Sequence, residues 1–445
     1  MRDIQDLILL SDIHLSAERG KGLFQADNEL VTFLDWILEG VGPARVVIAG
    51  DFLDFLVPAK GESSIAAFEP AAARKRAKAV VEHHHEIFRR LGSIARSPNN
   101  ELWIMSGNHD PELLFQDIRE VVERGMGVPS HPVRVRWHVN GEALRFRTGD
   151  ASVLVTHGDV FDDWNRIDHG ELQRAANRIS YGFAESEELD YVPPHGTTVV
   201  LDYLLSIREE YPWVDVLKPE REAVFRLLYE FLDVRDLKRY SGFLASALMV
   251  NMASWLKKEI VRRRHPEKLV RESPKASRQQ RFTQWLNERH ERRKARETAD
   301  LIMTLRDVSA EDDYFDISTP DECEDLLPFF FERGADLVVA GHTHAAKAHL
   351  VDDQNLYINT GTWARLLQLP TSDASDESWG SFLESLRGGQ DLGVPRPTFA
   401  RVGVRAEHRT HASLMAWKDG SPSMEAGFDF DAQGRIWRRQ GMSDV

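Results

Sequence analysis

The chain has 445 residues, 42% of them hydrophobic and 29% charged, with a formal net charge of −15 and a single cysteine, Cys323. That length gives room for roughly one to three domains around a sizeable core, and the composition is that of a soluble globular protein. One thiol excludes an intrachain disulfide framework and a thiolate metal cluster, and it suits a reducing compartment. The negative balance argues against an all-over nucleic-acid binder.

The first residues, Met1 to Asp6, carry acids and lead into only a short apolar run, which is too short and too acidic for a secretory signal. The longest mostly apolar stretch, about Phe243 to Leu256, is broken by Ser246, Asn251 and Ser254, whereas a membrane span needs ~20 residues. A cytoplasmic location is expected.

In chain order, Leu7-Ile8-Leu9-Leu10 runs into Ser11-Asp12-Ile13-His14. Val46-Val47-Ile48-Ala49 runs into Gly50-Asp51-Phe52-Leu53-Asp54. Leu102-Trp103-Ile104-Met105 precedes Gly107-Asn108-His109-Asp110, and Val153-Leu154-Val155 precedes His157-Gly158-Asp159. Leu337-Val338-Val339-Ala340 precedes Gly341-His342-Thr343-His344. Short branched runs bounded by Gly, Asp or Asn are typical of strands buried on both faces. Helix-like stretches, Asn28 to Glu39 and Ala66 to Leu91, lie between them. Alternating strands and helices predict a layered α/β core, whose ligands collect beyond the carboxyl ends of the strands. All five motifs fall at that edge.

The alternation stops between about Trp164 and Pro320. Val224, Leu227, Leu228, Phe231 and Leu232 make the apolar face of an amphipathic helix there, with Pro219 at a first-turn position. The stretch reads as a helical insertion, or cap. Between Lys257 and Arg296 stand fifteen Lys/Arg against five Glu. This is a charged helix face, a cationic surface for a polyanionic backbone, or, with the apolar run before it, an interfacial helix. Trp255 and Trp285 read first as core residues. Residues 371–396 look like a loop, and the alternating runs after them predict a small C-terminal β extension. The expected parts are 1–165 and 319–370 for the core, 166–318 for the cap and 371–445 for the loop and extension.

Asp12 and His14 are two apart, and in an extended segment such residues point the same way, so both reach one cation. His342 and His344 repeat the spacing. Asp51 offers a carboxylate that can bridge two ions, Asn108 a carbonyl oxygen and His157 a further imidazole. Mixed oxygen and nitrogen donors without thiolate suit Mn, Fe or Zn better than Mg or Ca. Paired divalent ions point to in-line hydrolysis of a phosphate ester. His109 is placed to act as general acid or as a charge-stabilising imidazolium, with Asp110 expected to orient it. Asp54 reads as a turn or supporting residue rather than a ligand. Asp162, Asp163, Trp164, Asp168 and His169 read equally as pocket lining or as a solvated loop. His83-His84-His85, consecutive on a helix, reads as solvated surface.

The order D-x-H, G-D-x-x-D, G-N-H-[DE], H and G-H-x-H resembles the calcineurin-like metallophosphoesterase superfamily, from Met1 to about Trp363 without the insertion. The resemblance implies a four-layer α-β-β-α sandwich, two sheets face to face with helices outside. It implies that Asp12, His14, Asp51 and His344 hold one divalent ion, and that Asp51, Asn108, His157 and His342 hold the other. Manganese is the expected metal, with iron or zinc as alternatives. Ser11 to Ser16 and His157-Gly158-Asp159 look like a bacterial branch that hydrolyses the pyrophosphate of UDP-diacylglucosamine. That branch has much shorter members and usually an arginine where this chain has His109. The expected function is attack of a metal-bound hydroxide on a phosphodiester or pyrophosphate, small or lipid-linked. The alternatives are a nuclease using the basic segment 257–296 and a metal-retaining scaffold without turnover. That segment is also the expected contact for nucleic acid or a membrane surface.

Overall fold

The computed structural model describes residues 6–18, 22–59, 62, 68–128, 135–182, 191–218, 220–231, 298–310, 312–404, 409–431 and 433–439. The basic segment 257–296, the run 243–256, Trp255 and Trp285 lie outside the described residues. The described chain is mixed α/β and divides into two compact units. The first comprises 1–205, 313–366 and 393–445, and the second 206–312 and 367–392.

In the first unit, strands and helices alternate: β1 (Asp6–Leu10), β2 (Leu15–Ser16), α1 (Asp27–Gly40), β3 (Ala44–Ala49), β4 (Leu53–Asp54), α2 (Pro70–His83), α3 (His85–Arg96), β5 (Glu101–Met105) and α4 (Gln116–Gly125). Then come β6 (Val135–His138), β7 (Leu144–Thr148), β8 (Ala151–Val155), α5 (His169–Ser180) and α6 (His195–Val199). The later strands are β9 (Leu217–Lys218), in the second unit, β10 (Leu337–Ala340), β11 (Ala346–Leu350), β12 (Leu356–Thr360) and β13 (Arg365–Gln368). β14 (Val394–Pro395), β15 (Thr398–Val404), β16 (Thr410–Lys418), β17 (Ser421–Phe430) and β18 (Ile436–Arg438) follow.

An eight-stranded sheet runs β18-β17-β16-β15-β1-β3-β5-β6, and a five-stranded sheet runs β11-β12-β10-β8-β7. β1, β3, β5 and β6 are parallel neighbours, as are β8, β10 and β12. The motif-bearing strands β1, β3 and β5 therefore open their carboxyl ends together, as do β8 and β10. The residues expected as a small C-terminal extension continue the large sheet: β15 pairs antiparallel with β1, and β16 to β18 follow as a meander.

Period-two alternation sorts the core. Ile8, Leu10, Val46, Ile48, Leu102 and Ile104 pack with Phe33, Leu34, Phe88, Ile94 and Ile118 of the helices. Their neighbours Leu7, Leu9, Val47, Ala49 and Met105 share one buried cluster with Val153, Val155, Leu337, Val339 and Ile358 of the other sheet. Leu154, Val338 and Tyr357, on the far side of that second sheet, pack with Cys323 and Leu327. Each large apolar side chain buried this way contributes ~1.5–3 kcal/mol. Phe33 sits in an aromatic cluster, with Trp363, Phe399 and Trp417 rings at 4.8–5.4 Å.

The stretch expected as one helix through His83-His84-His85 divides there into α2 and α3. His84 turns inward and is buried, its Nδ1 2.7 Å from Asp27 Oδ1 of α1, while His83 and His85 stay exposed. In the second unit, β9 pairs with Leu367 and Gln368 of β13. The helix Glu220–Phe231 buries Val224, Leu227 and Leu228, as the periodicity predicts. The helix Asp376–Arg387 is capped by Ser375, whose side chain accepts from Ser378 N. Among the described residues no helix is long and apolar enough to cross a membrane.

Candidate metal centre

Each motif begins one or two residues past the end of its strand: β1 ends at Leu10, β3 at Ala49, β5 at Met105, β8 at Val155 and β10 at Ala340. The two-residue strands β2 and β4 pair parallel, Leu15 with Leu53 and Ser16 with Asp54, which ties the first two loops together. Three glycines let the loops close. A Cβ on Gly50 would lie 2.3 Å from His157 Nδ1, one on Gly107 2.2 Å from Asp51 Oδ1, and one on Gly341 2.4 Å from Asp12 Oδ2.

The side chains of Asp12, His14, Asp51, Asn108 and His157 are buried, and those of His342 and His344 nearly so. Asp12, His14, Asp51 and His344 offer donor atoms that all lie within 4.8 Å of one another. Within that group His14 Nε2 is 3.0 Å from His344 Nε2, and His344 Nε2 is 3.4 Å from Asp12 Oδ1. A second group adjoins it. Asn108 Oδ1 lies 3.1 Å from His157 Nε2 and 3.0 Å from His342 Nδ1. Asp51 Oδ2 faces both groups, 3.7 Å from His14 Nε2 and 3.4 Å from His157 Nε2.

The donors are held from behind. His157 Nδ1 donates to Ala49 O at 3.0 Å, which leaves Nε2, 3.1 Å from Asn108 Oδ1, as the nitrogen free to take a proton or a cation. His342 N donates to both oxygens of Asp12, and Ser11 Oγ donates to Asp12 Oδ2 while standing 2.6 Å from Thr360 Oγ1. His109 N donates to Asp51 Oδ1 at 2.9 Å. Asn359 Nδ2 donates to Gly341 O at 2.8 Å and to Asp321 Oδ2 at 2.8 Å, bracing the last motif from below.

The two-residue spacing works differently from an extended strand. Asp12, His14, His342 and His344 have φ of 51°, 56°, 71° and 60°, and Asp51 has 49°. Only Phe68 and Asp419 join them as left-handed non-glycine residues among the described residues. Each such residue costs ~1–2 kcal/mol, a strain that packing must offset and that clusters at functional sites.

Burial raises the Asp51 carboxyl, but His157, His109 and His14 outweigh it and hold it well below the usual range. Burial likewise raises the Asp12 carboxyl, but His344 and His157 outweigh it and hold it below its ordinary value. His14 is pushed down to about 4 by burial and by the neighbouring His109 and His344, so it stands neutral with a lone pair to offer. Burial lowers His157, yet Asp51 and Asp12 raise it well above its ordinary value. Ionised carboxylates, imidazole lone pairs and one amide oxygen aimed at common points are a donor set that fits two divalent cations.

Beside this set, His109 Nδ1 is 3.2 Å from Asp54 Oδ1, and Asp54 Oδ2 is 3.9 Å from His14 Nδ1. The partner of the His109 ring is therefore Asp54, and the expectation for Asp110 is corrected. Asp110 Oδ1 accepts Gly107 N at 2.6 Å, and Oδ2 accepts Phe52 N at 2.8 Å and Leu53 N at 3.0 Å. Its carboxylate staples two motif loops together and is turned from the adjacent imidazole. Asp54, read from the sequence as a turn or supporting residue, makes the turn bond to Leu56 N at 3.0 Å and also stands beside His109, with Ser16–Asp54 pairing β2 to β4.

Of the loop after His157, Asp162 reaches the site: its Oδ2 is 3.2 Å from His342 Nε2. Asp168 instead caps α5 through Glu171 N at 2.8 Å, and Asp163 pairs with Arg166 on the surface. His169 packs on Gly141 and is held low by burial.

No protein-family model matches this chain, and no curated protein matches it. Among solved structures, wild-type Vps29 complexed with zinc from Entamoeba histolytica matches at 15% identity and a TM-score of 0.16, over 24% of this chain and 47% of that chain. The chain thus spans less than half the length of that structure, and so slight a likeness carries no argument about fold or activity.

Proposed function

We propose that this chain is a dinuclear metal-dependent phosphoesterase of the calcineurin-like type, built as a four-layer sandwich and acting on a phosphodiester or pyrophosphate. The observation that carries the reading is Asp51, whose Oδ2 faces one group with His14 and another with His157. Asp12, His14, Asp51 and His344 would hold one cation, and Asp51, Asn108, His157 and His342 the other. Manganese is the preferred occupant, with iron or zinc as alternatives. When bound, such a pair supplies Lewis-acid neutralisation of phosphoryl oxygens and acidifies water.

The chain's own residues do the rest. His109 is raised to about 9, because Asp51 and Asp54 outweigh the burial that would lower it. In the metal-free chain it carries a proton at neutral pH. Asp54 holds Nδ1, which leaves Nε2 to give its proton to the leaving oxygen. Asp110 and the three glycines keep the loops at contact distance. The substrate is a phosphate ester, small, lipid-linked or nucleic acid.

The test is a panel of mono-, di- and pyrophosphate substrates, single-stranded DNA and RNA, each with Mn, Zn and Mg, together with metal counting by mass spectrometry. Two bound equivalents and metal-dependent cleavage, both lost in Asp51→Asn, are expected. Metal uptake without turnover of any substrate would favour a scaffold, and no uptake at all would overturn the reading.

A further inference from the structure

The geometry points to Asp162 as the positioning residue that fixes the His342 ring for the second cation, an inference that rests on the two-ion reading above. The His342 ring is held at both ends, with Nε2 3.2 Å from Asp162 Oδ2 and Nδ1 3.0 Å from Asn108 Oδ1. A carboxylate only accepts hydrogen bonds, so it draws the ring hydrogen to Nε2. Nδ1 is then a bare lone pair.

Asn108 Oδ1 is also an acceptor, so it and His342 Nδ1 face each other at 3.0 Å as two lone pairs with no hydrogen between them, a contact that a cation relieves. On the other side of Asn108 Oδ1, His157 Nε2 lies 3.1 Å away with its Nδ1 committed to Ala49 O. The arrangement is explained if the tautomers are set for a metal, and for His342 the group that sets it is Asp162. Metal-bound histidines commonly donate their other nitrogen to a carboxylate in this way.

Asp162 is itself locked. Its Oδ1 accepts Trp164 N at 2.9 Å, its Oδ2 accepts Asn165 Nδ2 at 2.6 Å, and its carbonyl accepts Arg166 N at 2.8 Å. Its side chain is 13% exposed. Two donors on the carboxylate and one on the backbone carbonyl leave it little freedom to leave the ring. The same bonds fit a humbler role, closure of the loop that leads to Ile167, and the experiment separates the two.

Metal-stripped wild type, Asp162→Ala, Asp162→Asn and, as a control in the same loop, Asp163→Ala are titrated with Mn²⁺ and with Zn²⁺ by calorimetry. The ring tautomer of His342 is read by long-range ¹⁵N–¹H NMR on the stripped chains. An asparagine has the shape of the aspartate, but its amide N–H prefers a bare Nε2 and so moves the hydrogen to Nδ1, the wrong nitrogen. The expected result is one of two equivalents weakened about 10- to 100-fold in both Asp162 variants. The other equivalent stays as in wild type, Asp163→Ala binds as wild type, and Asp162→Asn shows the inverted tautomer. Unchanged binding of both equivalents in Asp162→Asn would overturn the inference, as would Asp163→Ala reproducing the defect. If wild type binds no second cation, the two-ion reading fails first; if wild type binds two and Asp162→Asn binds both with wild-type affinity, only the role of Asp162 fails.

Discussion

Replacing Gly107 by alanine puts one methyl group into the centre of the site. The new Cβ would lie 2.2 Å from Asp51 Oδ1, 2.6 Å from His157 Nε2 and 2.7 Å from Asp51 N, where ordinary contact begins at 3.4 Å. Asp51 has to retreat by about 1.2 Å and His157 by about 0.8 Å, or the loop has to move. Gly107 is not among the glycines with left-handed φ, so the alanine backbone itself is unstrained and the effect is purely one of contact. Overpacking of this size costs ~1–3 kcal/mol of stability. A displacement of about 1 Å at a reacting constellation costs ~10²-fold in rate. The loss should fall on metal affinity as well, because both displaced groups are proposed ligands. Gly334→Ala is the control: its φ is +78° and nothing lies within 4 Å of the added Cβ, so it costs ~1–2 kcal/mol of backbone strain and leaves the site alone. The assay is manganese titration, thermal unfolding and phosphodiester kcat/KM on both variants. Gly107→Ala that binds two ions within a factor of about 3 of wild type, with turnover kept, would refute the close packing of Asp51 and His157 on this loop.

Asp54→Asn should lower kcat by about 10²-fold or more, the scale of general acid catalysis; loss of its charge also lowers His109, so the alkaline limb of the pH–rate profile should move to lower pH. In the metal-stripped chain, His109 is raised from 6.5 to about 9 on folding. Its contribution of about 3 kcal/mol is fully present below pH 6.5 and is lost as pH rises through 9. Urea unfolding across that window should show the loss in wild type and not in His109→Gln. Chelator treatment should lower stability by about 2.7 kcal/mol for each ion held at a hundred times its Kd, and equal urea midpoints with and without chelator would contradict this. Phe33→Ala should cost ~3–5 kcal/mol through the cavity left among Trp363, Phe399 and Trp417, with metal stoichiometry unchanged.

The motifs were legible because each combines a buried strand with polar residues at its carboxyl end, and that pattern is local. Asp12, His14, Asp51, Asn108, His157, His342 and His344 stand together because their strands are parallel and adjacent within each sheet. The second tier was legible only as candidates, Asp54 as a supporting residue and Asp162 as one of several pocket residues, and not as pairs. Asp110 follows His109 in sequence, but the loop turns its carboxylate to three backbone N–H groups, and a residue 55 positions earlier, Asp54, takes the ring. Asp162 and His342 are 180 positions apart, and nothing in either neighbourhood announces the bond. The His83-His84-His85 run shows how identical neighbours diverge, since only His84 meets an acid in the adjoining helix. The C-terminal runs read as strands, but a period-two pattern carries no information about which sheet edge they will join.

The place of β15 in the large sheet has a consequence for biosynthesis. β1, which delivers Asp12 and His14, is flanked on one side by β3 and on the other by β15, whose partners for Leu7, Ile8 and Leu9 are Val402, Arg401 and Ala400. A ribosome that has released three-quarters of the chain still leaves the amino-terminal strand with one row of amide and carbonyl groups unsatisfied. Such an edge invites pairing with other chains until residues near 404 emerge. A nascent chain stalled before that point should be more prone to aggregate than one stalled just after it.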